Sequence, residues 1–343
     1  MSARLLAVLF FATFSTLAAE PTLDIYWIDV EGGASTLIVT PDKQSVLVDS
    51  GWPWPPSAER IYTVATNAGL KQIDYLITTH FHVDHFGGAA GLSKLMPIKN
   101  MWDNGAVPPA DPDSGGGPFK TDDYKNIPAA RKVIRPLNII PLTQPGTNHL
   151  SLQILATRKE IPSLATYPLN KLCSEATKRD IDRSDNANSV CFVLNLNGFR
   201  FFDAGDMTWN IEGDMVCPFD HVGIVDVYQV DHHGMNISNN PLLLKTIAPT
   251  VSVMDNGPHK GGSAETLKRL RDTPSIKAMY QLHRDLRGGR EFNTEDNFIA
   301  NMEEKCVANY IKCSVSADGT SYTVSIPATG FSMKYETTLK RRN

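Results

Sequence analysis

At 343 residues, with 42% hydrophobic residues, the chain is long enough for one large globular domain or two small ones. Lys and Arg number 33 against 37 Asp and Glu, a formal net charge of −4 with no long run of one sign. That balance argues against a non-specific nucleic-acid clamp, which shows a basic stripe, and leaves room for a local basic rim.

Residues 1 to about 19 differ in kind from the rest. Arg4 precedes the apolar run Leu5 to Ala12, and Ser15-Thr16-Leu17-Ala18-Ala19 supplies small residues before Glu20. This is the layout of a secretory signal peptide; the run is too short for a membrane span. The expected mature chain, 20–343, is secreted or periplasmic.

From Pro21 the pattern is strand after strand. Leu23 to Val30, Ser35 to Thr40 and Ser45 to Asp49 are β-rich and separated by Gly32-Gly33 and Pro41-Asp42, the punctuation of hairpins. Asp49-Ser50-Gly51 ends the third. A helix is expected over 58–69, with Gly69 as its stop.

The apolar run Ile73 to Thr78 then reads as a buried strand and leads into Thr79-His80-Phe81-His82-Val83-Asp84-His85-Phe86-Gly87-Gly88. Three imidazoles and a carboxylate fall within six positions. Alternating His80 and His82 can point the same way from extended chain, while Asp84 and His85 come from the following turn and reach a second point. The spacing predicts two metal sites a few ångströms apart. Imidazole plus carboxylate is the donor set that Zn²⁺ takes in catalytic sites, and Mn²⁺ or Fe fit the same donors. The Gly87-Gly88 pair suits a tight turn opening a helix that runs to about Met96.

The segment resembles the signature motif of the metallo-β-lactamase superfamily of hydrolases. The resemblance implies an α/β fold, an αββα sandwich with the metals at the edge between two sheets, and it gives Asp49 the place of a strand-end aspartate that orients a histidine.

Residues 103–130, dense in Gly and Pro, read as an insertion that makes a flap over the cleft, and 158–184 as a second, polar insertion. Five cysteines show no Cys-x-x-Cys spacing, so a zinc ribbon is not expected. Disulfides are permitted outside the cytoplasm: Cys306 and Cys313 are near enough to pair, and Cys191 looks like a buried thiol.

Asp185 to Asp206 reads as two strands joined at Asn197-Gly198, a strong hairpin signal, ending in Gly205-Asp206. The resemblance implies that Asp206 bridges both metals. Where most members carry a histidine ahead of this hairpin, the chain has Asp185-Asn186-Ala187-Asn188-Ser189, similar to the branch of DNA-uptake channel extracellular domains and bacterial phosphorylcholine esterases. Asp185, Asn186 or water then fills the vacant position. The strand Val225 to Val230 ends in Asp231-His232-His233-Gly234, and His232, with His233 as the alternative, is expected as the terminal ligand. After the strand Val251 to Met254, His259 or Lys260 could hold an anion or protonate a leaving oxygen. His221 and His283 have no supporting context. Glu295 to Glu304 and a closing hairpin around Asp318-Gly319 complete the domain.

The resulting expectation assigns His80 and His82, with Asp185 as candidate third ligand, to site one, Asp84, His85 and His232 to site two, and Asp206 to both, with catalytic roles for Asp84 and His259. A metal-bridging hydroxide would form near neutral pH and cleave a small-molecule or polymeric ester. A phosphodiester or phosphoester is favoured, a lactone, β-lactam or carboxyl ester is the alternative, and a non-catalytic metal-binding protein is the alternative of another class.

Overall fold

The computed structural model describes residues 21–105, 121–144, 146, 148–164 and 166–338. The leader read over 1–19 and most of the glycine-rich part of 103–130 lie outside the described residues. Strands β1 (Leu23–Trp27), β2 (Thr36–Val39) and β3 (Ser45–Val48) form an antiparallel meander that continues in parallel through β4 (Ile73–Thr78), β5 (Ile98–Asp103) and β6 (Ala130–Val133). All residues of β1, β2 and β3 are buried, which explains their near-continuous apolar runs.

The second sheet starts with β7 (Ile139–Ile140), β8 (Leu150–Ala156), β9 (Cys191–Leu196) and β10 (Phe199–Asp203), all antiparallel. It continues in parallel through β11 (Val227–Gln229), β12 (Val251–Met254), β13 (Ala278–His283) and β14 (Ile299–Asn301). The chain then returns to the first sheet as β15 (Ile311–Val315), β16 (Ser321–Ile326) and β17 (Phe331–Glu336), with β15 beside β1. Asn197-Gly198 makes the expected tight hairpin, both at positive φ, with Leu196 opposite Phe199.

One core lies between the sheets. Trp27 reaches across it, packing edge-on against Phe201 and donating its indole N–H to Gln229. The outer face of the first sheet is covered by α1 (Pro55–Asn67), α2 (Val83–Phe86), α3 (Ala89–Leu95) and α4 (Thr121–Lys125). The outer face of the second is covered by α5 (Trp209–Val216), α6 (Pro241–Ile247) and α7 (Ala264–Arg271). The layers are those of an αββα sandwich.

Several local expectations shift. Helix α1 begins at Pro55 instead of residue 58, because prolines fit the first helical positions, where no N–H is needed. Gly87 and Gly88 adopt ordinary helical φ, so the turn does not require them; a Cβ on Gly88 would sit 2.0 Å from the Ser50 carbonyl oxygen, and close approach is what requires glycine there. Glu295 to Glu304 holds one helical turn and the short strand β14. The disulfide is Cys173–Cys217, tying the 158–184 segment to the end of α5, while Cys306 and Cys313 are both free thiols and do not pair; Cys191 is a buried thiol, as read.

The described part of 103–130 is more ordered than a plain flap. Buried Asp103 receives both arms of the Arg131 guanidinium, Nε at 2.7 Å and Nη2 at 3.0 Å, and the Tyr124 hydroxyl at 3.1 Å. This network pins α4 and β6 to the end of β5. Arg131→Ala, which leaves the buried carboxylate without its cation, should lower stability by about 2 kcal/mol in denaturant unfolding, the low side of the range because the guanidinium is a third exposed. A loss below about 0.5 kcal/mol would mean that the network does not anchor the segment.

Candidate metal centre

The C-terminal ends of β1, β3, β4, β10, β11, β12 and β13 open on one edge of the sandwich, the usual location for ligand sites in parallel sheets. At the end of β3, Asp49 takes a left-handed backbone conformation (φ 59) and accepts from the Thr79 N–H at 2.8 Å and hydroxyl at 2.7 Å. Its Oδ2 also lies 2.7 Å from His85 Nδ1. Asp49 therefore does hold a histidine.

Asp206 is the hub. After β10 the chain turns at Gly205 (φ 55), where a Cβ would meet the Thr79 side chain at 2.9 Å. The Asp206 carboxylate then faces four imidazoles: Oδ2 is 3.2 Å from His85 Nε2, 3.4 Å from His232 Nε2 and 3.9 Å from His80 Nε2, and Oδ1 is 3.5 Å from His233 Nε2. Asp84 Oδ2 stands 3.3 Å from His233 and 3.6 Å from His85. His82, half-buried, packs its ring against His80 at 4.7 Å between centroids.

Each of the four rings has a polar side chain within 3.3 Å of its other nitrogen, a hydrogen bond at His80, His85 and His232 and an ion-pair contact at His233. His85 Nδ1 has Asp49, and His233 Nδ1 lies 3.2 Å from Asp255. His80 Nδ1 is 3.3 Å from the Ser189 hydroxyl, and His232 Nδ1 is 3.2 Å from the Ser238 hydroxyl. Two rings are backed by carboxylates and two by hydroxyls, and their protonation divides the same way. Burial works against the cation at His85 and His233, but Asp206, Asp49 and Asp84 carry His85 well above the ordinary range, and Asp206 and Asp255 raise His233 to about 9 in spite of nearby Lys260. Burial prevails at the other two, holding His80 well below the ordinary range and His232 at about 4. At Asp84 and Asp206 burial is outweighed by the surrounding basic groups, Lys260 foremost for Asp84 and the His232 imidazole for Asp206, and both carboxyls are held well below the usual range.

The donor set fits divalent ions on an independent observation. Nε2 of His80, His85 and His233 are buried without a hydrogen bond, an arrangement that is costly unless something occupies the point they face. His80, His85 and Asp206, and likewise Asp84, His85 and His233, present ligand atoms within 4.8 Å of one another. These clusters are compatible with a binuclear metal site.

Two sequence assignments do not join the group. Asp185 Oδ2 accepts from the Phe81 N–H at 2.7 Å and Oδ1 from the Asn188 amide at 2.9 Å, so its carboxylate braces the backbone between His80 and His82. Its neighbour Asn186 is the residue that turns in, its amide 3.3 Å from His232 Nε2. His259 is more than half exposed and pairs with Glu304 at 2.8 Å, outside the cleft. Lys260 takes the inward position: its ammonium bonds Asp84 and lies 4.9 Å over the Trp52 ring, which stacks on Trp54 at 4.8 Å. Both His232 and His233 reach the centre, because consecutive left-handed residues (φ 55 and 52) splay the two rings to either side of Asp206. Asp255 and Ser238, absent from the sequence reading, carry no local motif and are found only once the fold brings them to the rings.

Residues 28–154 match the metallo-β-lactamase superfamily model. The chain is similar to ComE operon protein 3 of Bacillus subtilis, 22% identical over 259 residues, and to Recombination protein 2 of Haemophilus influenzae, 24% identical over 247. These alignments take in 71% and 70% of the chain but span 29% and 25% of those proteins. Among solved structures, a HARLDQ-motif mutant of a metallo-β-lactamase from Cronobacter sakazakii aligns at a TM-score of 0.38 and 15% identity, covering 60% of this chain and 75% of that one. The matched segment takes in the histidine cluster and Asp49, the aspartate that braces His85, and residues 28–154 are what this chain shares with the metallo-β-lactamase superfamily.

Proposed function

We propose that the protein is a secreted metal-dependent hydrolase with two divalent ions, Zn²⁺ or alternatively Mn²⁺ or Fe, that cleaves a phosphodiester or phosphoester. The observation that carries this reading is the Asp206 carboxylate, which offers one oxygen to His80, His85 and His232 and the other to His233. On that division, His80, His82 and His232 would hold one ion, Asp84 and His233 the other, and Asp206 both, with His85, 3.2 Å from Asp206 Oδ2 and 3.6 Å from Asp84, within reach of either and assigned to the second beside Asp84. His232 thereby moves to the first site, beside Asn186, and takes the place left by the histidine that the 185–189 segment lacks. Ions bound there would lower the pKa of water toward neutrality and polarise an ester oxygen.

The protein's own part is orientation and charge. Asp49 holds the His85 ring by its Nδ1, and Asp255 stands 3.2 Å behind His233, so that both Nε2 atoms face Asp206 and Asp84. Lys260, at the rim over Trp52, supplies a cation for a non-bridging oxygen of an anionic ester. A carboxyl ester or lactone has no such charge, which places it second. The Cys173–Cys217 disulfide favours an oxidising compartment, in keeping with the leader read at residues 1–19. Among the described residues no helix is long and apolar enough to cross a membrane.

The deciding measurement is turnover of bis(p-nitrophenyl) phosphate beside single-stranded DNA, a lactone and a β-lactam chromogen, on protein of determined metal content. Diester turnover is expected; turnover of the lactone or lactam alone would replace the substrate class, and bound metal without turnover of any of them would favour a binding protein. Asp206→Asn should reduce metal content and activity together, and full activity in that variant would remove the bridging role. Lys260→Ala should raise KM for the diester about tenfold with metal content kept, the loss of one partly exposed charge-assisted contact; an unchanged KM would take Lys260 out of substrate binding.

A further inference from the structure

A second group of metal-competent side chains sits at the same strand-end edge, apart from the residues around Asp206. Asp29 follows β1, His283 ends β13, and Cys306 lies in the loop between β14 and β15. Asp29 and His283 are fully buried and Cys306 is partly exposed. Their ligand atoms form a triangle: Asp29 Oδ2 to His283 Nε2 is 3.0 Å, Cys306 Sγ to Asp29 Oδ2 is 3.0 Å, and Cys306 Sγ to His283 Nε2 is 3.4 Å. The geometry points to a separate binding site for one thiophilic divalent cation, Zn²⁺ in the first instance, held by Asp29, His283 and Cys306.

Two arguments select this over the other uses of the same residues. A nucleophilic cysteine with a histidine base needs the imidazole to bridge, one nitrogen to the thiol and the other to the carboxylate. Here one nitrogen, Nε2, faces both partners, and Nδ1 is buried without a hydrogen bond. Burial and the Asp29 carboxylate also push the Cys306 thiol up to about 12, the reverse of an activated nucleophile. Convergence of three atoms on one point is instead what a metal requires. Around tetrahedral zinc, with bonds of about 2.0 Å to oxygen and nitrogen and about 2.3 Å to sulfur, ligand atoms stand about 3.3 to 3.6 Å apart, so the three separations found need to open by about half an ångström at most.

The surroundings set the terms. Asp29 Oδ1 accepts from the Glu31 N–H at 2.8 Å, which orients Oδ2 toward the triangle. The Arg60 guanidinium stands 3.6 Å from that Oδ2, but it is engaged by Glu31 at 2.6 Å and by the Asp29 carbonyl at 3.2 Å. A cation entering the triangle displaces the thiol proton to solvent and leaves a thiolate bonded to the metal, so uptake weakens as pH falls. Because Asp29 belongs to the first sheet and His283 to the second, the ion would clasp the two sheets at the edge where the Asp206 centre opens.

Cobalt(II) is the probe. Metal-stripped full-length chain, shown to carry three free thiols when unfolded, is titrated with Co²⁺. A near-ultraviolet thiolate-to-cobalt charge-transfer band is expected, since Cys191 and Cys313 are buried in the core and Cys173 and Cys217 are joined. Cys306→Ser should abolish the band and bind one cobalt fewer than the parent, whereas Asp206→Asn should keep the band, which separates this site from the other. Absence of the band in the parent chain at saturating cobalt, or its persistence in Cys306→Ser, would overturn the assignment.

Discussion

The structure depends on keeping one carboxylate, Asp206, almost fully buried. A buried charge is tolerated only when paired, and here the partners come from different parts of the chain: His80 and His85 after β4, His232 and His233 after β11. The first pair belongs to one sheet and the second to the other. Satisfying Asp206 therefore requires both sheets to be in register at the edge where their strands end, and the inter-sheet contact of Trp27 with Phe201 and Gln229 serves the same alignment from within the core.

The bracing of the rings explains why the two halves of the centre differ. A carboxylate behind an imidazole stabilises its cation and strengthens it as a donor; a hydroxyl does neither to the same degree. His85 and His233, with Asp49 and Asp255 behind them, both lie within 3.6 Å of Asp84, while His80 and His232, backed by Ser189 and Ser238, meet Asp206 Oδ2, which His85 shares. The centre is thus asymmetric in electrostatics before any ion enters, with the bracing carboxylates and Lys260 both gathered on the Asp84 side.

What could be read from the sequence were features whose physics is local. The histidine segment, the strand-end aspartates Asp49 and Asp206 and the Asn197-Gly198 hairpin are set by spacing and turn chemistry within a few residues. Features decided by a turn's handedness or by contact across the fold could not be read this way. His232 and His233 could not be ranked because consecutive left-handed residues, a conformation that side chains rarely adopt, send both inward. Asp185 looked like a ligand by position, but the turn it starts aims it at a backbone N–H. His259 and Lys260 are adjacent, and only the course of the 255–262 turn decides which faces the cleft. Cys306 finds Asp29 and His283 across 277 and 23 residues of chain, and no motif announces such a meeting.

The same turn shows how the rim is coupled to the centre. Left-handed conformations at His232 and His233 cost on the order of 1–3 kcal/mol each and persist only where their surroundings hold them. The His232 N–H bonds the Gly205 carbonyl at 3.0 Å, just before Asp206, and the His233 carbonyl accepts from Gly262 at 2.8 Å. Gly261 packs so closely that a Cβ there would stand 2.1 Å from the His233 carbonyl oxygen. The backbone that strains His233 into place is therefore the backbone that carries Lys260, one residue away. A shift of the 255–262 turn large enough to move the lysine must also release His233, so the position of the rim cation is set by the geometry of the centre it overlooks.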